Sequence, residues 1–215
     1  MGQTEWILQG GVGVCQLYWV GGSADQADSA ILSADERARA AAYRRGADAG
    51  AFVARRAALR RILAARLGVA PAEVRLTTDA HGKPMLADGF PHFSLSHRRG
   101  ISIIAVADAQ IGVDLEFADS QVEIDSIAAR FFAPDELATL CALSIDQRHD
   151  LFFRLWTRKE AFVKALGVGI SGSFTGFSAL GDSIQAQTGR WMLESRRADA
   201  GWVSVCLQAS RQRST

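Results

Sequence analysis

The stretch LFFRLWTRKEAFVKALGVGI (residues 151–170) reads as one amphipathic helix closed by glycines. Phe152, Leu155, Trp156, Phe162, Val163 and Leu166 recur at the three- and four-residue spacing of a buried stripe. Thr157, Glu160 and Lys164 follow the same spacing and share another side. Gly167 stands where a left-handed C-cap ends a helix, and Gly169 frees the exit. A Glu four residues ahead of a Lys makes a surface ion pair worth about 0.2–0.5 kcal/mol. Taken alone, the pair is therefore a solvated feature; a functional reading needs partners elsewhere in the chain.

At 215 residues the chain is one large domain or two small lobes, and either buries a real core. Hydrophobic content of 48% with 22% charged residues is that of a soluble globular protein. A net charge of +1 gives no global attraction to nucleic acid or membrane. Charge is uneven locally: residues 37–66 hold nine Arg against the single acid Asp48. Most of that run is expected to be a solvated helix face. An RNA-binding face lacks an aromatic platform or module here, and a few of the Arg facing a phosphate-bearing ligand is a third reading. Cys15, Cys141 and Cys206 stand far apart and fit neither a disulfide framework nor a zinc site. Free thiols follow, together with a cytoplasmic location, since no signal segment or membrane-length run is present.

Residues 1–11 are Gly-rich and expected to be loose, with a first strand at 12–20. Ser33 followed by Asp35 and Glu36 announces a helix N-terminus, running to about Arg45. A second helix over 49–67 has the stripe Phe52, Val53, Leu59, Ile62, Leu63 and Leu67, with Gly68 as its stop. VRLT (74–77) suggests a short strand, and HGKP (81–84) a turn holding Lys83 at its tip. In FSLSH (93–97) Phe93 and Leu95 alternate with Ser94 and Ser96. ISIIAVA (101–107) has the continuous apolar character of a central strand. In IGVDLEF (111–117) Ile111, Val113, Leu115 and Phe117 point one way, and Gly112, Asp114 and Glu116 the other. Helices are expected over 122–132 and from Pro134-Asp135-Glu136. Strands are expected at 174–180, 190–194 and 202–207, with a frayed tail at 211–215.

Asp114 and Glu116 lie about 6.5–7 Å apart along one strand face, so their side chains can converge on one cation. The bland alternative is a solvated strand face. Carboxylates with few His and no Cys suit a hard cation such as Mg²⁺, which leaves coordination positions for phosphate oxygens. With basic groups nearby, the pattern points to phosphoryl-type transfer from a phosphate-rich cofactor. The chain has no Walker loop and no kinase motif set.

GVDLE (112–116), WTRKEAFVKALG (156–167), FSLSH (93–97), HGKP (81–84) and RFFAPDE (130–136) together resemble the Sfp-type 4'-phosphopantetheinyl transferases, in the family's order and spacing from about residue 32 to 170. The resemblance implies transfer of the phosphopantetheine arm of coenzyme A to a serine of an apo acyl or peptidyl carrier protein, with release of 3',5'-ADP. It implies the 4'-phosphopantetheinyl transferase fold: an α/β (α+β) pair of pseudo-twofold lobes, each a small, mostly antiparallel sheet packed with helices, with the cofactor in the cleft between them. The lobes are expected at 1–117 and 118–215, with Asp119–Gln121 as their boundary, in a monomer.

By the same resemblance Asp114, Glu116 and Glu160 match a trio binding Mg²⁺ (or Mn²⁺), and Glu160 takes the serine proton, directly or through water. Lys164 matches a lysine near the pyrophosphate. Lys83, Ser96 and His97 match contacts to the nucleotide end of coenzyme A, and Arg39 and Arg55 align with basic positions of the first lobe. His97 otherwise reads as a structural histidine at a strand end. Where some members have Lys near the start of the first long helix this chain has Glu36, which argues against phosphate binding there. Trp156 is expected as a core anchor and Glu136 as a helix cap. An acidic carrier surface is expected to meet some Arg of 37–66. A coenzyme A-binding module without turnover and a metal-dependent phosphohydrolase are the competing functions.

Overall fold

The structure, a computed structural model, describes residues 2–7, 14–22, 24–119, 121–169, 174–199 and 201–209. Two strands open the chain, β1 (Gly2–Ile7) and β2 (Val14–Val20), followed by helices α1 (Gln26–Ala30), α2 (Ala34–Ala41) and α3 (Gly46–Leu67). A small hairpin, β3 (Leu76–Thr78) and β4 (Pro84–Leu86), leads to β5 (His92–Arg98) and β6 (Ile101–Ala107). The second half runs β7 (Ile111–Phe117), α4 (Ile124–Phe131), α5 (Pro134–Cys141), α6 (Ile145–Leu166), β8 (Ser183–Ala186), β9 (Gly189–Ala198) and β10 (Gly201–Gln208). Two antiparallel sheets result, ordered β1-β2-β6-β5 and β7-β10-β9-β8. In each half the strand preceding the helices pairs with the last strand, β2 with β6 and β7 with β10. The two lobes thus share this connectivity.

Strand alternation assigns the two faces of each sheet. Ile103 and Ala105 of β6 join Leu17, Val113, Leu115, Val203 and Val205 in one core between the sheets. Ile104 and Val106 instead meet Leu59, Ile62 and Leu63 of α3. On the far side of the second sheet, Trp191, Leu193 and Cys206 pack with Phe152, Leu155 and Phe162 of α6. Gly112 lets α6 lie directly on β7: a Cβ there would stand 1.9 Å from the Ala161 carbonyl oxygen and 2.5 Å from the Ala165 nitrogen. Both long helices stop at a left-handed glycine, Gly68 (φ 69°) and Gly167 (φ 73°). Ser33 caps α2, its hydroxyl accepting from the Glu36 amide and the Glu36 carboxylate accepting from the Ser33 amide. All three cysteines are free. Among the described residues no helix is long and apolar enough to cross a membrane.

Several expectations change. Residues 2–7 are not loose; they pair with β2 from Gly2↔Trp19 to Ile7↔Val14, and Trp6 is buried in the inter-sheet core. Residues 8–11, Ile170 and the tail at 211–215 lie outside the described residues. β7 does not close the first lobe at residue 117. It pairs with β10 and opens the second sheet, so strand pairing divides the lobes between β6 and β7. Helix α2 ends at Ala41, short of Arg45. The 174–180 segment is a 3₁₀ turn, Phe174–Gly176, and not a strand, because Phe174 stacks on Trp156 to cover α6. The arginine run is mostly solvated, as expected: Arg37, Arg39, Arg44, Arg45, Arg61 and Arg66 are exposed, and the departure is Arg60, buried against Glu36, with Arg56 half-buried beside it.

Candidate active site

The sheet edges β5 and β7 meet through side chains. The Val113 amide donates to Ser94 Oγ at 3.1 Å and the Leu115 amide to Ser96 Oγ at 3.2 Å. Serines on one face of β5 thus satisfy backbone donors of β7 that would otherwise be buried unpaired. The Ser96 hydroxyl donates to Asp114 Oδ1 at 2.9 Å. Lys164, one turn beyond Glu160, places Nζ 2.6 Å from the same oxygen and 3.2 Å from Ser96 Oγ. The seam between the lobes therefore ends in a cluster of three side chains, Ser96, Asp114 and Lys164, from β5, β7 and α6.

Above it opens a cavity of about 350 Å³. Arg39, Phe52, Arg55, Arg56, the 81–84 turn and β5 residues including His97 line one side; Glu160, Val163, Lys164 and Gly167 line the other. The first wall is cationic. The guanidinium groups of Arg39 and Arg55 each sit 5.6 Å from the centre of the Phe52 ring, and neither pairs with an acid among the described residues. Burial, then the charges of Arg55 and Lys164, hold His97 below the ordinary imidazole range, against the pull of Asp114. A phosphate arriving there would relieve all three groups.

The second wall is acidic. Burial pushes the Glu160 carboxyl up to about 7, the charge of Asp114 adds to it, Lys164 opposes and Glu116 adds further. Glu116 is raised by burial and Asp114 as well, against Arg98, whose Nε lies 3.2 Å from its carboxylate. These mutual effects place the three acids in one electrostatic field. They are not, however, drawn together into a cation site: among the described residues no three acid, His or Cys side chains are so grouped. Lys164 holds one oxygen of Asp114 and Arg98 holds Glu116. The donor set nevertheless fits a hard cation. Asp114 Oδ2 is buried with no hydrogen-bond partner, and three carboxylates offer oxygen ligands only.

Of the residues expected from sequence, Lys83, His97, Arg39, Arg55, Glu160 and Lys164 border the cavity, with Ser96 and Asp114 directly beneath and Glu116 farther along β7. Lys83 is a partial correction. Its ammonium is not held out at the tip of the turn but donates to the Lys164 carbonyl at 2.6 Å, capping the end of α6, while its side chain lines the cavity. Burial holds it below the usual ammonium range, partly offset by Asp79. Trp156 is a core anchor, stacked on Phe152 and Phe174. Glu136 caps its helix through the Ala133 amide and also accepts from Lys159 and the Ala179 amide, fully buried. Sequence reading missed Ser94, Phe52 and Arg98 as site residues. For Ser94 the strand alternation was a usable signal; for the other two only the lobe packing supplies one.

Residues 110–211 match the family model for the 4'-phosphopantetheinyl transferase superfamily. The chain is 41% identical over 148 residues to the 4'-phosphopantetheinyl transferase HetI of Nostoc sp., covering 66% of this chain and 62% of that protein. It is 37% identical over 196 residues to a putative 4'-phosphopantetheinyl transferase of Synechocystis sp., covering 82% and 79%. It is 34% identical over 123 residues to the 4'-phosphopantetheinyl transferase Sfp of Bacillus subtilis, covering 56% and 53%. The chain thus spans less than two thirds of the Nostoc and Bacillus proteins and more than two thirds of the Synechocystis one. At this identity, along most of its own length, the chain belongs to the 4'-phosphopantetheinyl transferase superfamily.

Proposed function

We propose that the chain transfers the 4'-phosphopantetheine arm of coenzyme A to a serine hydroxyl of an apo acyl or peptidyl carrier protein, releasing 3',5'-ADP. The observation that carries this reading is the two-sided cavity, with cations that meet no acid among the described residues on one wall and a carboxyl near pKa 7 on the other. Arg39, Arg55 and His97 bind the phosphate-rich nucleotide end of coenzyme A. Glu160, whose raised pKa suits a general base at neutral pH, accepts the proton of the carrier serine, directly or through one water. The serine oxygen then attacks the phosphorus bearing the pantetheine arm, and the bond to the 3',5'-ADP oxygen breaks. Lys164 neutralises charge on the departing phosphate.

Asp114, Glu116 and Glu160 are the residues that would hold Mg²⁺ or Mn²⁺. Such an ion supplies charge neutralisation on the pyrophosphate. Ser96 and Ser94 keep Asp114 and β7 in place beneath the cavity. Both walls come from one chain, which supports a working monomer.

The test is to incubate the protein with coenzyme A, Mg²⁺ and an apo carrier protein and to weigh the carrier by mass spectrometry. A gain of one phosphopantetheine arm is the expected result. Bound coenzyme A with no gain on any carrier would mark a binding module, and phosphate release without carrier a phosphohydrolase.

A further inference from the structure

Glu36 lies outside the active-site cavity, yet its carboxylate is buried and joins three of the elements that build the cationic wall. It closes the capping box of α2 on the Ser33 amide at 2.8 Å. Its two oxygens accept from Arg56 Nε at 2.6 Å and Arg60 Nε at 2.7 Å, both on α3. Arg60 in turn donates from one nitrogen to the carbonyls of Pro71 and Val74, each at 3.0 Å, holding the segment that enters the β3–β4 hairpin. The turn of that hairpin borders the cavity. Arg39 lies three residues beyond Glu36 on the short helix α2, and Arg55 lies next to Arg56 on α3. Both guanidinium groups stand over Phe52 with no acid paired to them among the described residues, Arg55 hydrogen-bonded to Tyr43, and like charges in such an arrangement repel. A helix of eight residues has little rigidity of its own. Ala40 packs on the Phe52 and Val53 cluster and Tyr43 bonds Arg55, but the buried ionic tie between α2 and α3 is the Glu36 carboxylate.

We propose that Glu36 is the positioning residue that sets Arg39 beside Arg55 for the phosphates of coenzyme A, without touching the ligand. This rests on the functional reading above. It also gives a role to the position where a lysine would be expected to bind phosphate itself: here the residue orders its neighbours.

The test measures coenzyme A binding by calorimetry with no carrier present, together with transfer kinetics. For E36Q the dissociation constant and KM for coenzyme A rise about tenfold, while kcat at saturating coenzyme A and KM for the carrier stay within about twofold. R39Q gives a loss of similar size, and the E36Q/R39Q double variant is no worse than R39Q, because the two act as one unit. S33A, which removes the other half of the capping box, shifts the same constant about two- to threefold and covers the case in which E36Q folds poorly. Unchanged coenzyme A affinity in folded E36Q and S33A overturns the proposal. So do additive losses in the double variant, or a parallel fall in kcat and both KM values. Parent protein that binds no coenzyme A overturns the functional reading as well, which separates the two failures.

Discussion

The long helices α3 and α6 are counterparts: each has 22 residues, each ends at a left-handed glycine and each covers a four-stranded sheet. Their charges differ in kind and in fate. On α3 the cations Arg56, Arg60, Arg61 and Arg66 are paired with acids from elsewhere, whereas Arg55, bonded to Tyr43, meets no acid among the described residues and faces the cavity. On α6 a carboxylate, Glu160, is buried beside two other acids and answered only in part by Lys164. One scaffold used twice thus produces a cleft with a positive and a negative wall. The first suits phosphate groups; the second suits a proton acceptor and a hard cation.

The sharpest way to break this contrast is to neutralise the acidic wall. Glu160→Gln is expected to lower transfer by about 10²–10⁴-fold, the usual contribution of a positioned acid–base group. Circular dichroism should match that of the parent, and coenzyme A binding should persist on the opposite wall. Loss of binding as large as the loss of turnover would mean that the walls do not divide their work.

The next largest effect tests the cationic side. Breaking a buried pair leaves an uncompensated charge, so E36Q is expected to lose about 3 kcal/mol of stability at neutral pH. For Glu36 burial alone would raise the carboxyl pKa, but the Ser33 amide and the charges of Arg56 and Arg60 outweigh it and hold it below 4.5. A depressed carboxylate contributes stability that is complete above the unfolded value and is lost as pH falls through the folded one. Urea melts of parent and E36Q should therefore differ most above pH 4.5 and converge in more acidic buffer. A constant difference across that range would contradict the ionic origin.

The smallest effect concerns the joint between the walls. Lys83→Met removes a half-buried ammonium from the last carbonyls of α6 and should cost about 1.5 kcal/mol in denaturant melts. If coenzyme A affinity falls while stability holds, the ammonium contacts the nucleotide and not the helix end.

Much of this was legible before any coordinates. The helix periods, the glycine stops and the Ser33 cap are local features, written in residues three or four apart, and they appear where expected. The alternation in 111–117 correctly put Asp114 and Glu116 on one face, because a strand leaves its side chains no other choice. Less was legible where two partners far apart in sequence decide. The strand at 2–7 has no strong pattern and exists because β2 offers it a free edge. The segment at 174–176 is instead a 3₁₀ turn whose phenylalanine stacks on Trp156, a partner far away in sequence.

By itself, then, the sequence determined the long helices, the faces of the central strands and, through five blocks in fixed order, the family. Only the tertiary structure decided which sheet β7 enters, which arginines pair with acids, where the Lys83 ammonium goes and how strongly Glu160 holds its proton. The physical reason is range. Backbone periodicity and capping act within a few residues, whereas ion pairing, desolvation and edge pairing depend on neighbours that the chain brings together only when the two lobes close.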